Sequence, residues 1–351
     1  MTEPRKPFIR MRYVVLILIV LSLNFIKLPY YYSQPGIAQE LEGVISVEGT
    51  NSIEEGAFML TTVEMARANP LYYVWAMFSS YRHIIPEEQI RGTDETDEDY
   101  HKRQTLLMSD SQEMAKIAAY EQAGADVFYE YHGVLVTTII EGMPADGQLE
   151  IGDLIVEVDG EPVHTAEDLI DRLSGFTEND QVELIVSRGK EEKSLSLSFS
   201  PFPPEYEVEE GRVGLGILSP VTDRDVTFSP GITIDETEIG GPSAGLMYSL
   251  EIYNQLVPED ITAGYVVAGT GTINEKGEVG PIGGASQKVV AADKAGAAYF
   301  LAPNAQGHEG SNYEEAKAAA VDIGTDMQVI PVDTFEDALT FLEGLEEQHA
   351  N

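Results

Sequence analysis

Apolar residues are concentrated in one nearly uninterrupted segment close to the start of the chain. Residues 13–32 are almost wholly apolar or aromatic, and Ser22, Asn24 and Lys27 are the main exceptions. A helix of about 20 apolar residues is long enough to cross a bilayer, and tyrosines such as Tyr30–Tyr32 are typical of the membrane interface. The pattern therefore predicts a transmembrane anchor over residues 13–32.

Basic residues precede this segment and set its expected orientation. Residues 1–12 hold four basic residues and one acid: Arg5, Lys6, Arg10, Arg12 and Glu3. Positive charge before a span predicts a cytoplasmic tail over residues 1–12, a single pass through the cell membrane and an extracellular body. A cleaved signal peptide is the alternative. No Ala-x-Ala cleavage site follows the apolar run, which favours an uncleaved anchor.

Beyond residue 36, segments with a strand period alternate with segments with a helical period. Residues 36–63 predict strands, and Tyr100–Gln122 predicts a long helix. Residues 125–199 predict a second group of strands, with one helix over Thr165–Leu173. From residue 205 to the end, strands again alternate with helices. This order predicts an α+β body with more than one domain.

The composition narrows the possible ligands. The net charge is −39, from 60 acidic and 21 basic residues, which argues against a nucleic-acid partner and against a body that lies on anionic lipid. The chain has no cysteine, and its six histidines show no metal-binding spacing. No G-x-x-x-x-G-K-[ST] motif occurs. We therefore expect no metal, no cofactor and no bound nucleotide.

Two glycine-rich segments carry residues suited to nucleophilic chemistry. In Gly240–Leu246, Ser243 follows Pro242, so we expect the serine at the N-terminus of an apolar helix, where backbone N–H groups can stabilise an oxyanion. In Gly280–Gly296, Lys288 precedes an apolar helical turn. Burial there lowers the pKa of a lysine, and a neutral amine can take the proton of a serine. Taken singly, the serine has the simpler interpretation of a helix cap and the lysine that of a solvated charge.

Together these segments resemble the proteolytic core of the Lon-type peptidases. The resemblance runs from Gly240 to Pro303 and includes the intervening Ala-Gly-Thr-Gly-Thr-Ile around Thr270. It implies that Ser243 and Lys288 form a catalytic dyad, with Thr270 in support. Two departures bear on cleavage preference. Gly240 stands where Lon enzymes usually have aspartate, and Ala-Ser-Gln replaces the more charged residues that usually precede the lysine.

The serine segment also fits the G-x-S-x-G elbow of α/β-hydrolases. In that interpretation Asp293 and His308 complete a triad in the required order. No HGGG-like oxyanion loop precedes Ser243, which favours the lysine as its base.

Residues 125–199 resemble a PDZ domain. The resemblance rests on Gly142–Val163, in which Gly152-Asp153 and Asp159-Gly160 mark the turns on either side of a buried strand. It implies that Gly133, Val134, Leu135 and Val136 form a loop whose N–H groups hold a peptide carboxylate. The alternative is that these four residues are simply a buried strand.

The whole chain resembles the membrane-anchored PDZ–Lon-like proteases, sometimes called the YlbL type. This implies an ATP-independent serine endopeptidase that cleaves peptides or proteins outside the cytoplasm and recruits them through its PDZ domain. Residues 36–122 are then the N-terminal part of the Lon-like domain or a separate module, and residues 205–351 its core, so that the PDZ domain is inserted. A catalytically inactive PDZ scaffold is the alternative function.

Overall fold

The structure, a computed structural model, describes residues 11–50, 55–91, 95–178, 180–203, 206, 211–235 and 240–349. The helices of this part of the chain are α1 (Met11–Leu23), α2 (Pro70–Ala76), α3 (Asp97–Ala123), α4 (Ala166–Leu173), α5 (Gly245–Leu256), α6 (Ala285–Lys294), α7 (Asn312–Ile323) and α8 (Phe335–His349). The strands are β1 (Tyr30–Glu40), β2 (Ile45–Val47), β3 (Ala57–Arg67), β4 (His83–Pro86), β5 (Asp126–Leu135), β6 (Thr138–Ile139), β7 (Leu154–Val158), β8 (Glu161–Pro162), β9 (Gln181–Arg188), β10 (Glu191–Ser198), β11 (Ser200–Pro201), β12 (Val213–Gly214), β13 (Ile217–Leu218), β14 (Val221–Ser229), β15 (Ile232–Ile234), β16 (Val266–Gly269), β17 (Thr272–Ile273), β18 (Val279–Gly280), β19 (Tyr299–Pro303) and β20 (Gln328–Val332).

The chain divides into two compact units, and the second interrupts the first. The first unit combines Met1–Asp126 with Ser229–Asn351, and the second is Val127–Phe228. The sequence boundaries at residues 199 and 205 therefore differ from those of the structure. The reason is that β14 joins the sheet of the second unit, next to β5, so residues 211–228 do not belong to the first unit.

A six-stranded mixed sheet forms the centre of the first unit, in the order β20-β19-β16-β3-β1-β4. The pairs among β20, β19, β16 and β3 are parallel, whereas β1 is antiparallel to both of its neighbours. β19 is buried along its whole length, as expected for a parallel strand covered on both faces. Because β3 lies beside β16, the segment before the insertion and the segment after it share one sheet.

Two long helices of the first unit position the serine segment. α3 begins at a capping box in which Thr96 and Asp99 bond each other's backbone N–H groups, and it ends at Gly124 in the left-handed conformation. α3 packs against α5. Almost every residue of α5 is buried, which is typical of a helix enclosed in a core.

The N-terminal segment differs from the predicted anchor over residues 13–32. The helical part, α1, ends at Leu23, and Tyr30 begins β1. Tyr31 and Tyr32 are buried because β1 lies between β3 and β4 in the sheet. The aromatic run therefore packs inside the protein. None of the helices in the described ranges combines the length and the apolar character needed to span a membrane. Most of the predicted cytoplasmic tail lies outside the described residues.

The second unit has a sheet in the order β10-β9-β7-β5-β14, with β8 paired to β7. α4 packs on it through Leu169, which belongs to the same core as Val134, Val136, Ile155 and Leu184. Thr165 caps α4 by accepting a hydrogen bond from the Asp168 N–H.

Candidate active site and peptide-binding edge

Ser243 lies in a turn just before α5, which begins at Gly245. The sequence pattern placed the first helical turn at Pro242. In the structure, the helix starts three residues later. The Ser243 carbonyl accepts hydrogen bonds from the Thr270 hydroxyl and the Gly271 N–H, both at 2.9 Å. These contacts fix the backbone of the turn and leave the serine side chain free to face the neighbouring helix.

A glycine is required at the position where α5 begins. A Cβ atom on Gly245 would lie 3.0 Å from the Ile273 nitrogen and 2.8 Å from the Ser111 hydroxyl oxygen. Ser111, on α3, donates a hydrogen bond of 2.9 Å to the Pro242 carbonyl. The turn that carries Ser243 is thus held between α3 and the β17 segment.

Lys288 lies on the first turn of α6 and reaches Ser243 from the side. Its N–H donates to the carbonyl of Gly284, the residue that precedes the helix in the left-handed conformation. The lysine Nζ lies 2.9 Å from Ser243 Oγ and donates a 2.6 Å hydrogen bond to the Thr61 carbonyl. The structure therefore brings the predicted nucleophile and base into direct contact.

The surroundings of Lys288 favour its neutral form. The side chain is 2 % exposed, and burial lowers its pKa from 10.5 to about 7 because desolvation penalises the ammonium form. Near neutral pH, a large fraction of the amine is then unprotonated. In that form Ser243 Oγ–H donates to Nζ, and Nζ still donates to Thr61.

Thr270 is fully buried next to the serine turn. Its hydroxyl donates to the Ser243 carbonyl, so in this structure the contact of Thr270 is with the serine backbone.

Sequence reasoning did not identify Thr61 or Ser111. Thr61 binds Lys288 through its backbone carbonyl, which any residue type provides, so no side-chain signal marks it. Ser111 is one of several polar residues along α3, and only the packing of α3 against α5 singles it out.

The alternative triad is not assembled around the serine. His308 approaches the Ala305 carbonyl, 2.5 Å from its Nδ1, and it lines a separate cavity of about 510 Å³ next to the β17–β18 hairpin. Asp293 is exposed on α6. The group that contacts Ser243 Oγ is Lys288, which argues against the α/β-hydrolase interpretation.

In the second unit, Gly133–Val136 follows the buried-strand interpretation. Val134 and Leu135 pair with Ile155 and Leu154 of β7, and Val136 directly follows the end of β5. Val134 and Val136 are fully buried, and the Val136 N–H donates to the Asp153 carbonyl at 2.8 Å. An N–H that is already bonded inside the sheet cannot bind a carboxylate. The Val136 N–H is therefore not free for a carboxylate, and the carboxylate loop at Gly133–Val136 stays a prediction.

A better-placed edge for a peptide lies at Gly214–Leu218. The carbonyls of Leu215 and Gly216 accept hydrogen bonds of 2.8 Å from Ala145 and Ile140, and Ile217 faces Ile139 across the β6–β13 pair. In this register the N–H and C=O of Ile217 point away from β6. Ile217 and Leu173 of α4 pack on the same core.

The comparisons with protein families divide the chain in a similar way. The family model for the PDZ domain matches residues 108–199, and that for the Lon protease (S16) C-terminal proteolytic domain matches residues 235–343. The first match includes the end of α3, which the structure places in the other unit. The chain therefore combines a PDZ domain with a Lon-type proteolytic domain in a mixed α+β architecture.

Individual relatives match only parts of the chain. A Lon protease from Campylobacter jejuni is 30% identical over 177 residues, which is 46% of this chain and 21% of the relative. A probable periplasmic serine endoprotease DegP-like from Ectopseudomonas mendocina is 32% identical over 74 residues, 21% of this chain and 16% of that protein. The crystal structure of the PDZ domain of an SdrC-like protein from Listeria innocua is 30% identical and covers 25% of this chain and 92% of its own, with a TM-score of 0.22. The matched part of the chain thus spans about a fifth or less of the length of the two curated proteases, from Campylobacter jejuni and Ectopseudomonas mendocina.

Proposed function

We propose that the chain is a serine endopeptidase in which Ser243 is the nucleophile and Lys288 the general base. The observation that carries the proposal is the 2.9 Å contact between Ser243 Oγ and the Nζ of a buried lysine, whose pKa is lowered to about 7. A serine needs an adjacent base to become nucleophilic, and a lysine serves as one only when burial keeps it neutral.

The geometry supports a two-step acyl transfer. Neutral Lys288 takes the Ser243 proton as Oγ bonds to the scissile carbonyl carbon, and the carbonyl oxygen becomes an oxyanion. The lysine then gives its proton to the leaving amine as the C–N bond breaks, which leaves an acyl-enzyme. A water molecule, deprotonated by Lys288, hydrolyses the ester and restores the serine.

The turn before α5 provides the position for oxyanion stabilisation. The N–H groups at the start of α5 lie at the positive end of the helix dipole. The Gly241 N–H is not available, because it donates to the Gln104 carbonyl. We assign the oxyanion donors to the backbone of Ser243 and Ala244, which directly precede the helix.

The activity is proposed to be independent of ATP. The sequence has no Walker A motif, and peptide-bond hydrolysis by a Ser-Lys dyad requires no nucleotide. In this proposal the second unit binds an extended peptide end along the Ile217 edge, next to α4, and brings protein substrates to the protease.

We also propose that the N-terminal segment that includes α1 attaches the chain to the cell membrane, with the body outside, although α1 by itself is too short to span it. The apolar side chains of α1 between Met11 and Leu21 are exposed, and basic residues precede the helix. Membrane fractionation and protease shaving of intact protoplasts test this proposal. Recovery of the chain in the soluble fraction, or a body that is protected from the protease, would contradict it.

A serine-directed phosphonate probe tests the peptidase proposal directly. The purified chain is expected to label at Ser243 and to cleave unstructured polypeptides without ATP. Ser243→Ala is expected to do neither. A wild-type chain that binds peptides, fails to label and fails to cleave them would favour the scaffold alternative.

A further inference from the structure

Helix α2 and the two residues after it present a patch of large apolar and aromatic side chains to solvent. On the inner side of the helix, Ala76 is buried and belongs to one small core with Tyr32 and Ala68. On the outer side, the exposed fractions lie between 38% and 79% for Tyr73, Val74, Trp75, Met77 and Phe78. We call these five residues the α2 patch. Large exposed apolar patches mark interaction surfaces.

The start of α2 is joined to the end of α1. The side-chain oxygen of Asn69 caps α2, and its Nδ2 donates a 2.9 Å hydrogen bond to Oδ1 of Asn24, which directly follows α1. The Leu28 N–H donates to the Ala68 carbonyl, also at 2.9 Å. The α2 patch therefore lies next to the segment that is proposed to attach the chain to the membrane.

The charge around α2 is unlike that of the chain as a whole. Residues 65–86 contain no aspartate or glutamate, although 60 of the 351 residues of the chain are acidic. Arg67 and Arg82 lie in this stretch, and the guanidinium of Arg82 is 4.0 Å from the centre of the Trp75 ring. The net charge of −39 repels anionic lipid from most of the surface. An acid-free stretch with two arginines is free of that repulsion.

We propose that the α2 patch lies in the outer membrane–water interface and forms a second lipid contact besides the N-terminal segment. Trp75 and Tyr73 lie at the level of the head groups, where such side chains are enriched. Met77 and Phe78 enter the boundary with the acyl chains, and Arg82 remains near the lipid phosphates. This inference rests on the proposed attachment of the chain to the membrane.

The segment that follows α2 connects the patch to the helix of the proposed base. The Tyr81 carbonyl accepts a 3.2 Å hydrogen bond from Gln287 Nε2, and the Tyr81 hydroxyl donates a 2.6 Å bond to Asp322. Gln287 directly precedes Lys288 on α6. Because these bonds fix the segment after α2 to the first unit, a lipid contact at α2 determines which side of the proteolytic unit faces the membrane.

The natural protein carries its own probe for this contact, because Trp75 is its only tryptophan. The full chain is reconstituted in vesicles of phosphatidylcholine and phosphatidylglycerol. The phosphatidylcholine is then replaced by lipid that is brominated either near the head group or near the end of the acyl chains. We expect the shallow bromines to quench Trp75 emission more strongly than the deep ones, since an interfacial tryptophan lies at head-group level. Stronger quenching by the deep bromines would overturn the interfacial position.

Flotation of the vesicles in a density gradient separates this inference from the proposed attachment. Chain that floats with the vesicles while neither bromolipid quenches Trp75 would support the attachment and overturn the contact at α2. If the emission also shifted to the blue as the chain concentration rose, a second copy would cover the patch instead of lipid. Chain that does not float would refute both proposals.

A paired variant tests the patch and keeps the probe. Met77→Ser combined with Phe78→Ser removes the two most exposed side chains of the patch. Each lost apolar side chain is expected to weaken the lipid contact by about tenfold, so quenching by the shallow bromines should fall while the chain still floats. Val321→Ser is the control, because Val321 on α7 is 78% exposed, close to the 79% of Phe78. Equal quenching in the wild type, the control and the paired variant would overturn the proposal.

Discussion

The Thr61 carbonyl and the Lys288 side chain are joined by a hydrogen bond of 2.6 Å, although the residues are 227 positions apart in the chain. Thr61 lies before the inserted unit and Lys288 lies after it. The bond holds the lysine Nζ at the point where β16 and β3 diverge, facing Ser243. The segment before the insertion therefore provides part of the environment that orients the proposed base.

Substitutions of the dyad are expected to abolish turnover. Ser243→Ala removes the nucleophile, and Lys288→Arg replaces the base by a group that cannot lose its proton. Each is expected to lower kcat by at least about a thousandfold in a peptide-cleavage assay, with an unchanged circular dichroism spectrum as the control for folding. Near-normal turnover of either variant would refute the assignment.

The rate is expected to rise with pH through the pKa of Lys288. Burial lowers that pKa to about 7, and only the neutral amine accepts the serine proton. The kcat profile should therefore increase from about pH 6 to about pH 8 and then level off. A rate that is constant over this range, measured with a peptide that has no titrating group, would contradict a lysine base.

The buried lysine should also make stability depend on pH. Its pKa is lower in the folded state, so between about pH 7 and pH 10.5 the unfolded chain binds more protons and stability rises with pH. Below this range, burial of Lys288 destabilises the folded state by its full amount. The free energy of unfolding of Lys288→Met, measured in urea, should therefore exceed that of the wild type most clearly near pH 7. The difference should shrink towards pH 10.5. A stability difference that does not vary with pH would contradict the lowered pKa.

Thr270 is expected to act as a positioning residue. Thr270→Val removes the hydroxyl that donates to the Ser243 carbonyl and retains the shape of the side chain. We expect kcat to fall about tenfold, which corresponds to the loss of one buried hydrogen bond, with little change in KM. Thr270→Ser keeps the hydroxyl and should restore most of the rate. Equal losses in both variants would indicate a packing defect instead.

The sequence was informative where the signal was local. Ser243 and Lys288 could be singled out because their two glycine-rich segments together resemble the Lon-type core, whereas each residue alone has a simpler interpretation. Hydropathy was less informative at Tyr30–Tyr32, because an apolar run indicates burial and does not distinguish lipid from a sheet interior. The register of β5 and the contact between Thr61 and Lys288 depend on pairing between distant segments, which no local pattern specifies.

The discontinuous first unit leads to a prediction about truncation. Residues 229–351 contain Ser243 and Lys288 but lack β3 and β1, which extend the sheet next to β16. Without them, the edge of β16 and the apolar surface around Ala268 and Val289 are uncovered. This fragment should be insoluble or unreactive to a serine-directed probe.

Removal of the inserted unit alone should be tolerated. Tyr120 lies before the insertion, and its hydroxyl donates a 2.7 Å hydrogen bond to the Pro230 carbonyl, 110 positions later. The two ends of the first unit are therefore close enough for a short glycine-serine linker to replace residues 127–228. The shortened chain should fold and label at Ser243, and it should lose any binding of extended peptide ends by the second unit. An active 229–351 fragment would show that the segment before the insertion is not part of the proteolytic unit. A linker variant that does not fold while the full chain does would show that the first unit depends on the inserted unit.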